Sequence, residues 1–305
     1  MTDDWRLMTV RPRLMTGRLR LATEDWRLVT VLALTLAHIA HAQAPAIEVS
    51  ARALQPGELA VVSIDPPASA QRVTVRAFDR EIAAYRADDG HWRALVGLDL
   101  DLEPGSYTLT IDAGAQPATR EIIVRPKTFP SRRLTVDPNF VTPPPSVADR
   151  IAREAQLLAA TWTRVTPERL WTDRFVRPVA EPANSAFGSR SIFNGQRRNA
   201  HSGADFLSPA GTPIHAPNAG VVVIARDLYY SGNTVVIDHG LGLYSMFAHL
   251  SAFDAREGEH LTAGQTIGRV GATGRVTGPH LHWAVRANGA RVDPLSLLAV
   301  LGDRS

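Results

Sequence analysis

The chain of 305 residues contains no cysteine. This absence excludes disulfide bonds, thiolate-bound zinc and every mechanism that uses a cysteine nucleophile. The hydrophobic fraction of 45% and the charged fraction of 21% are those of a globular protein. A metal site in such a chain must therefore be built from histidine and carboxylate side chains.

Lysine and net charge are also scarce. Lys127 is the only lysine among 33 basic residues, and the formal net charge is +3. Residues 1–42 contain six arginines and four acidic residues, so the remainder holds 27 basic and 26 acidic residues. A nearly neutral remainder lacks the electrostatic footprint of a nucleic-acid-binding protein. We therefore predict no nucleic-acid partner.

No apolar run in the sequence has the length that a stable membrane anchor needs. Residues 28–37 form a short apolar run that follows three arginines and precedes Ala40-His41-Ala42. An A-x-A pattern after such a run is typical of a signal-peptide cleavage site. We predict that residues 1–42 are a signal peptide, with translation starting at Met1 or Met15. The alternative is an uncleaved amphipathic helix.

Short β-type runs separated by turn signals fill residues 43–125. Residues 59–64 and 106–111 are two such runs, and Asp89-Gly90 marks one of the turns. About seven strands at this spacing predict a small immunoglobulin-like β-sandwich. Because no catalytic residues stand out there, we predict that it is an accessory domain.

Proline is concentrated in residues 126–174, which we predict to be a linker. Pro143-Pro144-Pro145 favours extended backbone. The apolar spacing after Ser146, a candidate N-cap, predicts one helix from residue 147 to about residue 163. The helix could pack against either neighbouring β region, and the sequence leaves that choice open.

Residues 175–305 are again β-rich and contain many glycines. Strand-like runs cover residues 221–225, 234–238, 243–249, 266–270 and 282–286. Turn signals such as Asn288-Gly289 separate them. We therefore predict a mostly β protein, in which a sandwich and a linker helix precede a Gly-rich antiparallel β domain.

Five side chains of this C-terminal region carry the candidate chemistry. His280 and His282 stand two residues apart on a predicted strand, so they project to the same face. His201 and Asp205 form an H-x-x-x-D pair, and His249 ends another strand-like run. A catalytic zinc site needs three protein ligands and an open position, and imidazole and carboxylate are suitable ligands. These five side chains together predict a zinc hydrolase.

The region from about residue 187 to residue 298 resembles peptidase family M23, the lysostaphin/LytM-type peptidoglycan endopeptidases. The matching segments are His201-Ser-Gly-Ala-Asp205-Phe206, residues 211–220, Ile237-Asp-His-Gly240, Phe247-Ala-His249-Leu250 and Thr277-Gly-Pro-His280-Leu-His282-Trp283. The resemblance implies that His201, Asp205 and His282 bind one zinc ion. It also implies that His249 and His280 stay off the metal and serve the chemistry.

The resemblance and the pKa of imidazole suggest roles for the remaining histidines. We expect His280 to accept the proton of the attacking water and His249 to hydrogen-bond the oxyanion, although the two could exchange or share these roles. His215 and His239 match family positions that are not ligands, so we expect them to be structural. We expect His260 to be solvated.

Further residues could line a substrate groove. Tyr229, Tyr230 and Asn233 lie on a loop that should border the cleft, and Asn194 lies with Arg190 in the segment before His201. Aromatic and amide groups can hold a peptide backbone by hydrogen bonds. The alternative is a turn with one aromatic side chain packed inward.

The resemblance implies an exported zinc metallo-endopeptidase that hydrolyses peptide cross-links of bacterial peptidoglycan. A leader without a lipobox cysteine favours the periplasm of a Gram-negative cell, where the cross-link joins D-Ala to meso-diaminopimelate. We therefore expect a D,D-endopeptidase whose partners are peptidoglycan peptide stems. The alternatives are a non-catalytic member that binds cell wall or activates an amidase, and a general protease. The sandwich could bind wall, cover the active site or dock a partner.

Overall fold

A computed structural model describes residues 45–302 except 67–69, 115–116, 135–141, 173, 185–186 and 194–195. The predicted signal peptide, residues 1–42, lies outside the described residues. No helix in the described part of the chain is long and apolar enough to cross a membrane.

The N-terminal region folds into two four-stranded antiparallel sheets. Their strands are β1 (Ala46–Ala51), β2 (Leu59–Asp65), β3 (Thr74–Ala77), β4 (Arg80–Ala83), β5 (Tyr85–Arg86), β6 (Trp92–Gly97), β7 (Gly105–Asp112) and β8 (Ala118–Val124). The strand order is β1-β2-β6-β5 in one sheet and β4-β3-β7-β8 in the other. Both sheets contribute buried side chains to one core, among them Val62, Val75, Val96 and Leu109. Strands β7 and β8 bury alternate residues in this core, whereas β2 and β6 are buried on both faces because their other face packs in a second core.

The predicted linker contains both a strand and a helix. Strand β9 (Ser131–Leu134) pairs in parallel with β10 (Arg190–Phe193). A 3₁₀ turn at Pro145–Val147 leads into helix α1 (Ala148–Thr163). The predicted N-cap at Ser146 is wrong, because Ser146 belongs to the 3₁₀ turn and Val147 takes the N-cap position without a side-chain hydrogen bond.

The C-terminal region is built around an antiparallel sheet of nine described strands. They are β12 (Gly203–Phe206), β13 (Pro213–His215), β14 (Gly220–Leu228), β15 (Gly232–Asp238), β16 (Leu243–Phe253), β17 (His260–Leu261), β18 (Thr266–Val270), β19 (Leu281–Ala287) and β20 (Ala290–Val292). The central order is β12-β19-β16-β15-β14-β17. Strand β11 (Gln196–Ala200) joins β10 and β9 in a separate three-stranded sheet. Helix α2 (Pro294–Leu301) follows β20 and is N-capped by Asp293.

Helix α1 packs on the C-terminal sheet, which settles the choice that the sequence left open. Leu157, Leu158 and Trp162 contact a small buried cluster made by Ile224, Val236 and Tyr244. The rings of Trp162 and Tyr244 meet edge to face with their centroids 5.6 Å apart. The Tyr244 hydroxyl also donates to the Arg164 carbonyl over 2.8 Å.

The N-terminal sheets and the C-terminal sheet share a second, larger hydrophobic core. The sheet that contains β2 and β6 contributes Leu59, Val61, Tyr85 and Leu95, which pack in one cluster with residues such as Trp171, Phe175 and Leu297. The rings of Tyr85 and Trp171 lie 5.3 Å apart, edge to face. Residues from Gln43 onward accordingly form one compact unit.

One part of this junction lies at the end of β19 that is remote from His282. A Cβ atom at Gly97 would lie 3.2 Å from that of Ala287, the last residue of β19. Beyond it, the Arg291 guanidinium donates to the Asp99 carboxylate over 3.2 Å. His282 stands five residues earlier on the strand, about 17 Å away at the rise of an extended chain. A second contact lies nearer the site, because a Cβ atom at Gly57 would overlap the ring of Phe187, and the shared core also contains Phe206 and Trp283.

Candidate metal centre

Strand pairing brings Asp205 and His282 together. Strands β12 and β19 pair in a register that sets Asp205 directly opposite His282. Opposed residues project to the same face, with Cβ atoms about 4.5–5.5 Å apart. The Asp205 Oδ1 atom lies 3.0 Å from Nδ1 of His282, although the two residues are 77 positions apart in the chain.

His201 reaches the same carboxylate from the segment just before β12. Its Nε2 atom lies 3.0 Å from Asp205 Oδ1, and its ring centroid lies 4.7 Å from that of His282. Two backbone hydrogen bonds hold the residue in place. The His201 N–H donates to the Ser189 carbonyl over 2.9 Å, and the Gly188 N–H donates to the His201 carbonyl over 2.7 Å.

The three groups fit a zinc ion. The candidate ligand atoms of His201, Asp205 and His282 all lie within 4.8 Å of one another. A tetrahedral zinc with bonds of roughly 2.0–2.2 Å holds its ligand atoms about 3.4 Å apart. Small shifts of these side chains would therefore bring all three ligand atoms onto one ion. Gly203 leaves room for the His282 ring, because a Cβ atom at Gly203 would lie 2.7 Å from its Nε2.

The charge states of these groups suit metal binding. Burial alone would raise the pKa of the Asp205 carboxyl, but the hydrogen bonds and charges of His201 and His282 outweigh it and hold that pKa well below its usual range. Burial lowers the pKa of His282. Ionised carboxylate and neutral imidazole are the forms that bind a metal ion.

His249 and His280 lie side by side next to these three residues. The Nε2 atom of His280 lies 3.8 Å from Asp205 Oδ1, and the ring centroids of His249 and His280 are 5.0 Å apart. Each ring donates its Nδ1–H to a backbone carbonyl over 2.9 Å, His280 to Gly278 and His249 to Thr273. Because a neutral imidazole carries one N–H, Nε2 of both rings is a hydrogen-bond acceptor in the neutral form.

His249 stands at an irregular position in β16. Its φ is +68°, and its N–H donates to the Ser231 carbonyl over 2.9 Å. Ala248, just before it, pairs regularly with His282. A left-handed conformation at a residue other than glycine costs about 1–3 kcal/mol and often marks a functional site. Burial, with the charges of the neighbouring histidines, lowers the pKa of His249 to about 3.

The loop between β14 and β15 borders His249 and carries the predicted groove residues Tyr229 and Tyr230, whereas Asn233, predicted on the same loop, is the second residue of β15. The Asn233 N–H donates to the Thr273 hydroxyl over 2.9 Å. The half-buried rings of Tyr229 and Tyr230 meet edge to face, with centroids 5.0 Å apart. Arg190 is exposed on β10. Asn194, the remaining groove prediction, lies outside the described residues.

Three other histidines stand in other surroundings. His239 is fully buried, donates Nδ1–H to the Ala219 carbonyl over 2.8 Å and accepts at Nε2 from the Ser245 hydroxyl over 2.9 Å. Burial lowers its pKa to about 4. The His215 Nδ1–H donates to the Gly264 carbonyl over 2.9 Å, and His260 is exposed. These surroundings agree with the structural and solvated roles that the sequence suggests.

Sequence reasoning missed three residues that shape the site. Gly203 stands inside the H-x-x-x-D segment, so its position in the motif was an available signal. Ser189 and Thr273 act through long-range backbone pairing, which no local pattern reveals. The Thr273 hydroxyl donates to the Leu250 carbonyl over 2.8 Å and thereby links the segment before His280 to β16.

Comparison with known proteins identifies the family. The profile of peptidase family M23 matches residues 199–294. A crystal structure assigned to peptidase M23 from Pseudomonas aeruginosa is 33% identical, covers 81% of this chain and 95% of its own, and superposes with a TM-score of 0.65.

Two curated relatives match the C-terminal region. DD-carboxypeptidase/endopeptidase Mpg of Neisseria meningitidis is 45% identical over 97 residues, which are 32% of this chain and 22% of Mpg. Peptidoglycan DD-endopeptidase ShyA of Vibrio cholerae is 42% identical over 113 residues, 37% of this chain and 26% of ShyA. The matches thus span about a quarter of the length of these two relatives. With the solved structure matched over nearly its whole length, the chain belongs to peptidase family M23.

Proposed function

We propose that the protein is an exported zinc metallo-endopeptidase that hydrolyses peptide cross-links of bacterial peptidoglycan. The observation that carries the proposal is the convergence of His201, Asp205 and His282 on one point beside His249 and His280. Three ligands with an open position and two further imidazoles are what metal-assisted hydrolysis requires.

One zinc ion per chain, held by His201, Asp205 and His282, would polarise the scissile carbonyl and acidify water. His280 accepts the proton of the attacking water, a role supported by its acceptor atom Nε2, 3.8 Å from Asp205 Oδ1. Its Nδ1–H bond to the Gly278 carbonyl fixes the tautomer that leaves Nε2 free to accept.

His249 is proposed to contact the oxyanion. Burial favours its neutral form, in which Nε2 accepts rather than donates. The residue can therefore donate a hydrogen bond from Nε2 only after it receives the proton released by the attacking water, passed on from the adjacent His280 ring. A larger loss of kcat in His280→Ala than in His249→Ala supports this division, and the reverse order assigns the base to His249.

The substrate class rests on the relatives. Mpg and ShyA carry names that specify D,D-endopeptidase activity, and ShyA is named as acting on peptidoglycan. We therefore propose the D-Ala–meso-diaminopimelate cross-link as the scissile bond, peptide stems as the partners and the Gram-negative periplasm as the location. Tyr229, Tyr230, Asn233 and Asn194 are proposed to line the groove for the peptide.

Digestion of purified sacculi tests this function. Mass spectrometry of the muropeptides should show dimers converted to monomers by the wild type, and no conversion by His280→Ala. His260→Ala, at an exposed histidine, is the matched control and should retain activity. Cleavage of casein but not of sacculi would support a general protease instead.

A second measurement separates the enzyme from a non-catalytic member of the family. Purified wild-type protein should hold about one zinc per chain, because three ligands suit a single ion. If the protein holds no zinc and His201→Ala leaves every activity unchanged, a wall-binding or amidase-activating role would replace the proposed one.

For the N-terminal region we propose the finer description of an immunoglobulin-like sandwich. The strand orders β1-β2-β6-β5 and β4-β3-β7-β8 support it, since they match the two-sheet arrangement of that fold with one added edge strand. We propose domain limits at residues 43–125, 126–174 and 175–305. The shared core, in which Leu59 and Val61 pack in one cluster with Phe206 and Trp283, supports a scaffold role for the sandwich rather than a cover over the site.

A further inference from the structure

Two buried polar atoms without a hydrogen-bond partner belong to the ligand His201 and to Ser189, which pairs with it through the backbone. Among the described residues, the buried side-chain atoms without a hydrogen-bond partner are Ser189 Oγ, His201 Nδ1 and Trp283 Nε1. Buried polar groups are hydrogen-bonded in the great majority of cases, so each exception calls for an explanation. The first two of these atoms belong to residues that are hydrogen-bonded to each other through the backbone.

The backbone places Ser189 and His201 opposite each other in a bulge. The His201 N–H donates to the Ser189 carbonyl, while the His201 carbonyl accepts from Gly188. Gly188 has a φ of +76°, in the left-handed region. This is the geometry of a bulge in which a glycine and the residue after it stand opposite one residue of the partner strand, here His201. Cβ atoms of opposed residues lie about 4.5–5.5 Å apart, a gap that a serine hydroxyl and an imidazole Nδ1 can bridge.

The tautomer of His201 determines which kind of partner its Nδ1 atom needs. Its Nε2 is the atom that faces Asp205, at 3.0 Å. If Nε2 binds zinc, as the proposed function requires, the single proton of the neutral ring must sit on Nδ1. A buried Nδ1–H needs an acceptor, and a metal-bound histidine almost always has one for its second nitrogen. Ser189, whose carbonyl accepts the His201 N–H, is 3% exposed and carries a hydroxyl that likewise has no hydrogen-bond partner in the structure.

We propose that Ser189 is a positioning residue for the zinc ligand His201. Its hydroxyl oxygen accepts the Nδ1–H of His201, which fixes the ring orientation and the tautomer that presents Nε2 to the metal. This inference rests on the proposed zinc site, and it assigns a role to a residue outside the H-x-x-x-D and H-x-H motifs.

The linker holds the same bulge from behind. A Cβ atom at Gly188 would overlap the ring of Phe129, so this ring packs directly against the glycine. The rings of Phe129 and Phe187 lie 6.3 Å apart, and the Arg190 N–H donates to the Pro130 carbonyl over 2.9 Å. The segment from Phe129 to Pro130 therefore pre-organises Ser189 before zinc binds.

Zinc affinity of the full chain, measured by competition with a chelator, tests the proposal. Ser189→Ala should weaken zinc binding about tenfold or more, the range known for outer partners of metal ligands. Ser189→Thr, which keeps a hydroxyl, should restore most of that affinity. Ser296→Ala is the matched control, because Ser296 is fully buried and accepts the Leu59 N–H at the junction. It should leave zinc affinity unchanged.

A spectroscopic readout separates positioning from general destabilisation. In ¹⁵N spectra of the zinc-loaded protein, the Nδ1–H signal of His201 should shift in Ser189→Ala and not in Ser296→Ala. An unchanged signal together with unchanged affinity would overturn the proposal, as would equal losses in both alanine variants. If the wild type itself binds no zinc, the proposed function fails instead, so the two failures are distinguishable.

Discussion

The two β regions of this protein differ in how regular they are. In the six described strand pairings of the N-terminal sheets the register runs without interruption. Five pairings of the C-terminal region contain register shifts. Shifts and bulges re-aim side chains, and they concentrate near functional sites. The comparison indicates that the N-terminal sheets contribute packing, whereas irregular C-terminal segments place His201 and His249 beside His282, which itself lies in regular strand pairings.

Substitution of a glycine tests this contrast with the largest expected effect. Gly203→Ala places a Cβ atom 2.7 Å from the His282 ring. The ring must move, so zinc affinity should fall about a hundredfold or more. Gly105→Ala, in the regular N-terminal region, is the control, because its Cβ atom would meet no closer contact than 3.9 Å. Zinc titration of both variants measures the difference. Equal zinc affinities would contradict the assignment of His282 as a zinc ligand.

Packing at the junction gives the next largest effect. Leu59 is fully buried in the shared core, and Leu59→Ala should lower the free energy of unfolding by about 4 kcal/mol. Because one core joins the two regions, urea should unfold the wild type in a single transition. The change should leave zinc affinity intact, since Leu59 lies on β2, outside the segments that carry the three ligands. Two separate transitions in the wild type would show that the regions fold independently.

A buried histidine of the C-terminal sheet should make stability depend on pH. His239 has its pKa lowered to about 4 by burial. Its neutral form is therefore favoured in the folded state, and protonation of the unfolded chain, beginning below about pH 6.5, favours unfolding. About 3 kcal/mol of unfolding free energy should be lost between pH 7 and pH 4 through this group.

Denaturant unfolding at several pH values measures this loss. His239→Gln should flatten the profile over that range. His91→Gln, at an exposed histidine of the N-terminal region, should leave it unchanged. A profile equally steep in His239→Gln and in the wild type would exclude His239 as the source.

The smallest expected effect concerns the loop between β14 and β15, which carries Tyr229 and Tyr230. The Glu154 carboxylate on helix α1 accepts the Tyr229 N–H over 2.7 Å and pairs with Arg150 over 2.6 Å. Glu154→Gln weakens this hold by about 1–2 kcal/mol. We expect a several-fold rise in KM with kcat retained, measured on a soluble cross-linked muropeptide. A fall in kcat with constant KM would place the effect on the catalytic residues instead.

Much of the site could be predicted from the sequence because its motifs are short. The period of two predicts that His280 and His282 share a strand face, and His201 and Asp205 stand four residues apart. In the structure β19 begins at Leu281, and His280 just before it forms a bridge with Gly271. The choice between His280 and His282 as ligand needed the family resemblance. In the structure Asp205 stands directly opposite His282 across β12 and β19, which explains why His282 is the candidate ligand. The sequence alone could not show this, because strand register depends on residues that are far apart in the chain.

The linker shows which features local sequence patterns can predict and which they cannot. Proline predicted extended backbone, and the helix was expected within two residues of its observed start. Its packing on the C-terminal sheet, the pairing of β9 with β10 and the contact of Phe129 with Gly188 all depend on partners more than 50 residues away. Local propensity carries no information about such partners.

The sequence by itself determined the β-rich class, the absence of any thiolate site and the set of histidines and carboxylate that carry the chemistry. Composition and short motifs suffice for these because they depend on residue type and local period. Only the tertiary structure decided that both β regions share one core, that His249 adopts a left-handed conformation and that the backbone of Ser189 pairs with that of His201. Each of these follows from strand register and from packing between distant segments, which are properties of the folded chain as a whole.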